Sequence, residues 1–396
     1  MSALESVLVV GASLAGHSTA RALRHQGFDG RLTLVGEEPE RPYDRPPLSK
    51  EFLAGTLDAD HLRLEPPGES LEAQWLLGSP AVALDAHRRT VTLADRTEHS
   101  ASAVVIATGS TARTLPGAPP VGVHTLRTLA DARALQADLV PGARLVVVGA
   151  GFVGAEVAAT AHSLGLEVTV VEAAPAPLSR QLGAEMGGVV AGLHAAHGVA
   201  LLCDAAVSGL VGDHRVRGVA LADGRLLPAD VVLVGIGASP AVEWLRTSGI
   251  DLSHGVVCDA RGAANAPGVW AVGDCSAWYD PVLGRPHRIE HWTESRERPA
   301  HLVRAMLAGH QGQVSGDGLA PLRAPYFWSD QYGVRIQFAG HREETDQLVV
   351  EDGSADEANI LATWRRDGVV VAVLGLNQTR AFARHRKALG RLPVAA

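Results

Sequence analysis

A glycine-rich turn between an apolar strand and a helical stretch constrains the fold of this chain more than any other feature of its sequence. Residues 144–148 form an apolar run, and the turn Gly149-Ala150-Gly151-Phe152-Val153-Gly154 follows directly. In such a turn the first glycine permits the sharp bend, the second lets a phosphate approach the backbone, and the third lets helix and strand pack closely. The spacing predicts a strand–turn–helix unit of a parallel α/β sheet.

An acidic residue completes this pattern. Glu172 ends the next apolar strand, 23 residues after Gly149. A carboxylate at this position accepts from a ribose 2′-hydroxyl and repels a 2′-phosphate, whereas NADP sites place an arginine nearby. No basic residue occurs in the following segment 173–176. The pattern therefore predicts a dinucleotide site that prefers NADH. Its predicted residues are Gly149, Gly151, Phe152, Val153, Gly154 and Glu172.

A second unit of the same kind stands near the N-terminus. An apolar run at residues 6–10 is followed by Gly11-Ala12-Ser13-Leu14-Ala15-Gly16, a helical stretch, another apolar strand and the acids Glu37 and Glu38. Ser13 departs from the pattern, because its Cβ would crowd a pyrophosphate at the position of the second glycine, although its hydroxyl can donate to the phosphate. An ordinary strand–turn–helix is the alternative interpretation of this turn.

The similarity of the two units continues downstream. The step from Asp95 to Gly109 and the step from Asp223 to Gly237 are both 14 residues long, and each contains an apolar strand. We therefore expect two similar α/β domains. A further apolar strand ends in Gly273-Asp274. Because a flavin ribitol chain needs a carboxylate acceptor at a strand end, this landmark favours a flavin nucleotide at the first turn.

Composition excludes several classes of function. The chain has 396 residues, 46% of them hydrophobic, which predicts two or three domains with proper cores. The formal net charge of -8 argues against a nucleic-acid-binding protein. The three cysteines show no CxxC or zinc spacing, which is typical of a reducing cytoplasm. Neither a signal peptide nor a membrane-spanning segment is expected, and the 17 histidines form no HExxH motif, so no catalytic metal is expected.

With these residues assembled, the chain resembles the FAD-dependent, NADH-using ferredoxin reductases of bacterial oxygenase systems, which serve aromatic-ring dioxygenases and cytochromes P450. The likeness extends over nearly the whole chain. The motifs that carry it are residues 42–50 (PYDRPPLSK), 107–109 (ATG), 124–129 (HTLRTL), 272–274 (VGD), 289–292 (IEHW) and 326–331 (YFWSDQ).

The resemblance implies an α/β fold with two Rossmann-like dinucleotide-binding domains, as in glutathione-reductase-like flavoproteins, plus a C-terminal α+β domain. It implies a split FAD-binding domain at residues 1–115 and 243–318. The NADH-binding domain would span 116–242, and the C-terminal domain would span 319–396.

The resemblance also assigns roles. It places Lys50 beside the flavin ring near N5, where a fixed ammonium would stabilise negative charge. It places Glu156 at the same site, able to pair with Lys50 and to contact the nicotinamide carboxamide. A solvated loop lysine and an acid stabilised by the helix dipole are the alternatives. The residues implied for FAD are Gly11, Ser13, Leu14, Ala15, Gly16, Glu37, Arg45, Lys50, Ala107, Thr108, Gly109, Arg113, Arg127, Gly273, Asp274, Glu290, His291 and Trp292. For NADH, Glu156, Arg180 and Gly237 join the residues of the second turn.

The implied reaction is hydride transfer from NADH to FAD, followed by single-electron transfers to an iron–sulfur ferredoxin of the [2Fe–2S] type. The resemblance implies a monomer or a weak dimer. Residues 40–56 contain no cysteine. This absence excludes the disulfide and peroxide chemistry of related flavoproteins. A rubredoxin or quinone acceptor stays open, as does an NADH-sensing flavoprotein resembling apoptosis-inducing factor.

The tail of the chain suggests where a partner docks. The segment 380–391 contains no acidic residue and five basic ones: Arg380, Arg384, Arg386, Lys387 and Arg391. We expect this helix to form part of a ferredoxin docking face, with a solvated terminal helix as the alternative. Two further residues carry expectations. Trp328 either shields the flavin or belongs to the core. Pro299 is expected to shift the start of the helix after Trp292.

Overall fold

Two parallel sheets and one large antiparallel sheet dominate the fold. The structure, a computed structural model, describes residues 4–310, 323–355 and 357–389. The helices are α1 (Leu14–His25), α2 (Leu129–Asp138), α3 (Phe152–Ser163), α4 (Ser179–Ala196), α5 (Trp292–His310) and α6 (Thr379–Leu389). The strands are β1 (Ser6–Val10), β2 (Arg31–Val35), β3 (Ala73–Leu76), β4 (Ala81–Asp85), β5 (Thr90–Leu93), β6 (Glu98–Ser100), β7 (Ala103–Ile106), β8 (Ser110–Ala112), β9 (Val123–His124), β10 (Arg144–Val148), β11 (Glu167–Val171), β12 (Ala200–Leu202), β13 (Val207–Val211), β14 (Gly218–Leu221), β15 (Leu226–Pro228), β16 (Val231–Val234), β17 (Ala238–Pro240), β18 (Val256–Cys258), β19 (Val269–Ala271), β20 (Ser276–Asp280), β21 (Arg285–Arg288), β22 (Tyr326–Gln331), β23 (Val334–Gly340), β24 (Gln347–Ser354), β25 (Asn359–Arg366) and β26 (Val369–Leu376).

The first parallel sheet has the strand order β19-β7-β1-β2-β3. Every residue of β1 and β7 is buried, as expected for strands covered on both faces. The chain leaves this sheet after β7 and returns to it much later with β19. This connectivity is what a split domain requires, and the residue limits at 115 and 243 stay predictions.

The second parallel sheet has the strand order β12-β11-β10-β16-β9 and is formed by the chain between these two visits. Strands β8 and β17 pair antiparallel where the chain passes from one sheet to the other and back. The two parallel sheets, each with a glycine turn before a helix, confirm the predicted α/β fold with two Rossmann-like units.

The C-terminal part is a five-stranded antiparallel sheet of order β22-β23-β26-β25-β24, with α6 packed against β26. Buried side chains of α4, among them Leu182 and Met186, share a core with Phe327 and Ile336 of this sheet. The antiparallel sheet is thereby fixed beside the second parallel sheet. Within the described ranges, no helix is long and apolar enough to cross a membrane.

Helix α5 corrects one expectation from the sequence. The helix begins at Trp292 and continues through Pro299 to His310, so the proline does not shift its start. Pro in a helix interior costs about 3 kcal/mol. Leu302 and Val303 are fully buried against the core of the first sheet, and burying such a side chain contributes about 1.5–3 kcal/mol. Packing of the turn that follows the proline therefore offsets its cost.

Candidate functional site

Lys50 and Glu156 form a buried ion pair between the two Rossmann-like units. The Lys50 Nζ atom lies 2.8 Å from Oε2 of Glu156, and only 15% and 8% of the two side chains are exposed. Lys50 directly follows a short 3-10 helix, Pro46–Ser49, whereas Glu156 lies in the first part of α3. The pairing that the sequence suggested is present, and the alternative of a solvated loop lysine does not fit this burial.

Two serines that sequence reasoning missed hold the Glu156 carboxylate. The Ser49 hydroxyl donates to Oε2 at 2.5 Å, and the Ser329 hydroxyl donates to Oε1 at 2.9 Å. The backbone amide of Asp330 adds a third contact at 3.2 Å. Because both carboxylate oxygens accept from fixed donors, the side chain is held in one orientation. Both serines lie inside the motifs that carry the resemblance, which was the one available signal.

The first glycine turn is closed tightly against β7. A Cβ at Gly11 would stand 2.1 Å from the carbonyl oxygen of Ala107, and its φ of +114° disfavours any other residue. The Ser13 hydroxyl accepts from the Arg45 guanidinium at 3.2 Å. Arg45 also pairs with Glu38 at 2.5 Å. The turn therefore places Ser13 and a guanidinium together at the N-terminus of α1, which begins at Leu14.

Asp274 organises the region where β19 ends. Its carboxylate lies 2.7 Å from the guanidinium of Arg127 and accepts from Ser110 at 3.2 Å. Gly273 approaches the first turn so closely that a Cβ there would stand 2.8 Å from the Cβ of Ala15. The structure thus brings Arg127, Gly273, Asp274 and the first turn into one group.

The second glycine turn has open space where a ligand would approach. Apart from Gly151 itself and its two chain neighbours, no described residue has a heavy atom within 4 Å of a Cβ built on Gly151. In contrast, a Cβ on Gly154 would stand 2.1 Å from the carbonyl oxygen of Gly149. The Glu172 carboxylate accepts from the backbone amides of Ala150 at 2.8 Å and Ala174 at 2.9 Å. Turn and acid are therefore locked together beside a gap at the N-terminus of α3, which suits a pyrophosphate.

Some predicted residues lie apart from these groups. Glu37 is exposed, and its neighbour Glu38 makes the contact with Arg45. Arg113 is exposed, and its backbone amide donates to the carbonyl of Gly237 at 3.0 Å. Three further members are exposed: Arg180 in α4, Val153 in α3 at 40%, and Glu290, which pairs with Arg288. Gly16 packs on Gly11, and Gly109 lies beside Arg127. The Thr108 hydroxyl donates to the carbonyl of Ala241 at 2.7 Å.

Aromatic side chains pack together around β22, the strand that carries Ser329. Phe327 packs on Phe152 with ring centroids 4.4 Å apart, and on His291 at 5.2 Å. Burial lowers the pKa of His291 to about 4, so its imidazole is neutral at pH 7. Trp292 contacts Trp328 edge to face at 5.7 Å and donates its indole N–H to Asp44. Trp328 is half-buried next to Trp292 rather than sequestered in the core.

Comparisons with known proteins agree with this geometry. The family model described as pyridine nucleotide-disulphide oxidoreductase matches residues 5–307, and the one described as reductase C-terminal matches residues 326–393. The chain belongs to the pyridine nucleotide-disulphide oxidoreductase family. It is 40% identical over 387 residues to the ferredoxin reductase component of chlorobenzene dioxygenase from Cupriavidus sp. (strain PS12), covering 95% of this chain and 90% of that one.

Two further relatives extend this result. The chain is 37% identical to the ferredoxin–NAD(+) reductase component of the biphenyl dioxygenase system from Paraburkholderia xenovorans (strain LB400), covering 96% of this chain and 92% of that one. The crystal structure of a covalent putidaredoxin reductase–putidaredoxin complex superposes with a TM-score of 0.92 at 32% identity, covering 99% of this chain and 94% of that one.

As a member of this family, the chain is an oxidoreductase that uses FAD and NAD(H). The residues present fit both cofactors. The gap at Gly151 admits a pyrophosphate, and the Asp274 carboxylate stands at a strand end beside the first turn. The disulfide chemistry in the family description has no counterpart here. All three cysteines are free, and burial raises the pKa of the Cys258 and Cys275 thiols, which keeps them protonated.

Proposed function

We propose that this chain is an NADH-dependent reductase that passes electrons one at a time to an iron–sulfur ferredoxin serving a ring-hydroxylating dioxygenase or a cytochrome P450. The observation that carries the proposal is the buried Lys50–Glu156 pair, which links the two nucleotide-binding units. Its carboxylate is held by Ser329, the neighbour of Trp328 in β22. The names of the relatives, which are ferredoxin reductase components, support the same activity.

Bound FAD would accept two electrons from NADH as a hydride and release them singly, since a ferredoxin takes one electron at a time. Gly11, Ser13, Arg45, Arg127 and Asp274 would hold FAD, and the turn at Gly149–Gly154 with Glu172 would hold NADH. Lys50 supplies a fixed positive charge where negative charge develops. Glu156, fixed by Ser49 and Ser329, would orient the nicotinamide carboxamide. Arg113 and Glu37 would contact FAD, and Arg180 would contact NADH, only from the exposed edge of the site.

A row of aromatic rings leads from this site toward α6. Trp292 contacts Trp328 at 5.7 Å, and Trp328 stacks on Tyr326 at 5.9 Å between ring centroids. The guanidinium of Arg386 lies 3.9 Å over the Tyr326 ring. The aromatic row therefore ends against the last turn of the basic helix, which supports docking of an electron acceptor at this surface.

We propose that the exposed residues Arg380, Arg384 and Lys387, with Arg386, form the docking face for an acidic [2Fe–2S] ferredoxin. Arg391, assigned to the same face, lies outside the described residues. Charge complementarity of this kind raises the association rate and fixes the orientation of the partner. A monomer or weak dimer working in the cytoplasm completes the proposal, and the free cysteines are in keeping with that compartment.

Stopped-flow absorbance tests the proposal. The FAD-loaded protein is mixed with NADH, and the reduced protein is then mixed with a [2Fe–2S] ferredoxin, a rubredoxin or a water-soluble quinone. We expect fast bleaching of the flavin band by NADH and fast reoxidation by the ferredoxin. A long-lived charge-transfer band with no acceptor turnover would instead indicate an NADH sensor. Faster reoxidation by rubredoxin or quinone than by every ferredoxin tried would refute the assigned acceptor.

A further inference from the structure

Three metal-ligand side chains from separate elements meet outside the cofactor sites. Asp280 ends β20, His287 lies in the neighbouring strand β21, and His341 directly follows β23 of the C-terminal sheet. The Asp280 Oδ2 atom lies 3.8 Å from Nδ1 of His287 and 3.5 Å from Nε2 of His341. These three atoms all lie within 4.8 Å of one another, and their residues are half-buried.

The spacing suits a shared cation better than direct hydrogen bonds. A hydrogen bond between nitrogen and oxygen spans about 2.7–3.2 Å. Ligands bound tetrahedrally at about 2.0–2.1 Å from one ion stand roughly 3.3–3.5 Å apart. The Nδ1 atom of His287 is buried and has no hydrogen-bond partner among the described residues. An ion bound between the three side chains would satisfy this atom, which is otherwise costly to bury.

The carboxylate is already oriented for such a role. Its Oδ1 atom accepts from the backbone amides of Val282 at 2.8 Å and Leu283 at 3.2 Å, which leaves Oδ2 for the two imidazoles. Oδ2 therefore faces both imidazoles, at 3.8 Å from Nδ1 of His287 and 3.5 Å from Nε2 of His341.

Two cations face the group, and each is compensated. Arg298 and Arg366 both act on His341. Arg298 pairs with Glu294 at 2.5 Å, and Arg366 pairs with Asp346 at 2.8 Å. Since both guanidinium charges are paired with carboxylates, their repulsion of a bound cation is reduced.

We propose that Asp280, His287 and His341 form a binding site for a divalent transition-metal ion of the Zn²⁺ class, with water completing the coordination. Two imidazoles and one carboxylate are ligands that such ions prefer. The site would join the β20–β21 hairpin to the C-terminal sheet and so restrain the segment that leads to Trp292. This role is structural, and it is compatible with the expectation that the chain has no catalytic metal. Sequence spacing missed the site because its third ligand comes from a different sheet.

Isothermal titration calorimetry with ZnCl₂ on chelator-treated, FAD-loaded protein tests this inference. We expect one saturable Zn²⁺ per chain, with affinity at least about tenfold lower in the conservative variants His287→Gln and His341→Gln. His61→Gln is the matched control, because His61 also stands beside an aspartate, 2.7 Å from Asp58, but at an exposed surface. This control should bind the ion as wild type does.

Thermal unfolding followed by flavin fluorescence gives a second readout that does not depend on activity. Zn²⁺ should raise the Tm of wild type and of His61→Gln, and it should leave the Tm of His287→Gln and His341→Gln unchanged. Equal Zn²⁺ affinity in wild type and both variants would overturn the site, as would the absence of any saturable binding in wild type. If one glutamine variant fails to retain FAD, the other decides the outcome, and the milder Asp280→Asn serves as a third.

Discussion

The Nζ atom of Lys50 lies 2.8 Å from Oε2 of Glu156, and this contact joins the segment after β2 to the helix that follows the second glycine turn. A second contact reinforces the junction, since the Thr160 hydroxyl donates to the backbone carbonyl of Ser49 at 2.8 Å. The proposed positions of flavin and nicotinamide are thereby tied to each other through α3. The position of the Lys50 ammonium is fixed by the Glu156 carboxylate, which is itself held by Ser49 and Ser329.

Replacing Lys50 tests the role of this charge. Lys50→Met should leave FAD bound but lower the midpoint potential of the flavin and slow its reduction by NADH. Loss of one charged contact costs on the order of 1–3 kcal/mol, or about ten- to a hundredfold in rate. Stopped-flow reduction and a spectroscopic redox titration measure both effects.

The chain offers a matched control for this variant. Lys387, the other lysine of the sequence, is exposed on α6, so Lys387→Met should leave flavin reduction by NADH unchanged. Glu156→Gln, which keeps the shape of the side chain, should slow reduction as Lys50→Met does. An unchanged reduction rate in Lys50→Met would remove Lys50 from the site.

Local features of the fold could be predicted well from the sequence, because the conformation of a glycine turn depends on only a few neighbouring residues. Gly11 and Gly149 both have positive φ and both stand against a neighbouring strand where a Cβ would clash. The course of α5 was predicted wrongly, since a rule about Pro299 cannot weigh the burial of Leu302 in the next turn of the helix. Tertiary packing decided that case.

The candidate site was only partly accessible from the sequence. The contact between Lys50 and Glu156 was expected from resemblance alone, because no local pattern links residues so far apart. Ser49 and Ser329 were missed for the same reason, as they converge on one carboxylate from two separate segments. Arg113 was placed with the FAD residues, whereas in the structure it lies beside Gly237. Its proposed contact with FAD therefore stays a prediction.

Cofactor choice should depend on Glu172. Its carboxylate is held by the amides of Ala150 and Ala174 at the end of β11, where it would accept from a ribose 2′-hydroxyl and repel a 2′-phosphate. Glu172→Ala should reduce the preference for NADH over NADPH in kcat/KM, and adding Ala173→Arg should favour NADPH. Glu167→Ala, at the exposed start of the same strand, is the control. Equal use of both nucleotides by wild type would refute this assignment.

The docking face should be visible in ferredoxin kinetics alone. The double variant Arg384→Glu/Arg386→Glu should raise the KM for ferredoxin and flatten its dependence on ionic strength, since charge steering acts over a Debye length of about 8 Å at physiological salt. NADH reduction of a small dye should stay normal. Because Arg386 also packs on Tyr326, the exposed pair Arg380→Glu/Arg384→Glu separates charge from packing.

A charge-matched control for this experiment lies in the second Rossmann-like unit. Arg217 and Arg225 are exposed and directly precede β14 and β15 of the small three-stranded sheet. Arg217→Glu/Arg225→Glu changes the net charge equally, so it should alter ferredoxin kinetics much less than Arg384→Glu/Arg386→Glu. If both double variants raise the KM alike, the effect is one of net charge and α6 is not the docking face.

Stability against acid should depend on a histidine between the second parallel sheet and the C-terminal sheet. His194 of α4 is fully buried, with Nδ1 2.8 Å from the hydroxyl of Tyr332. Burial, with a smaller effect of His197, lowers the pKa of His194 from 6.5 to about 4. Between pH 6.5 and 4 the unfolded chain binds a proton that the folded chain does not, so the free energy of unfolding falls as the pH falls through this window. The free energy of unfolding should be largest above pH 6.5 and level off below about pH 4, with a total loss on the order of 1–3 kcal/mol from this group.

His194→Gln removes the titration, so its Tm should fall less steeply than that of wild type between pH 6.5 and 4, even if its Tm at pH 8 is lower. The exposed His61→Gln should keep the wild-type slope, and a wild-type slope in His194→Gln would show that other groups cause the acid sensitivity.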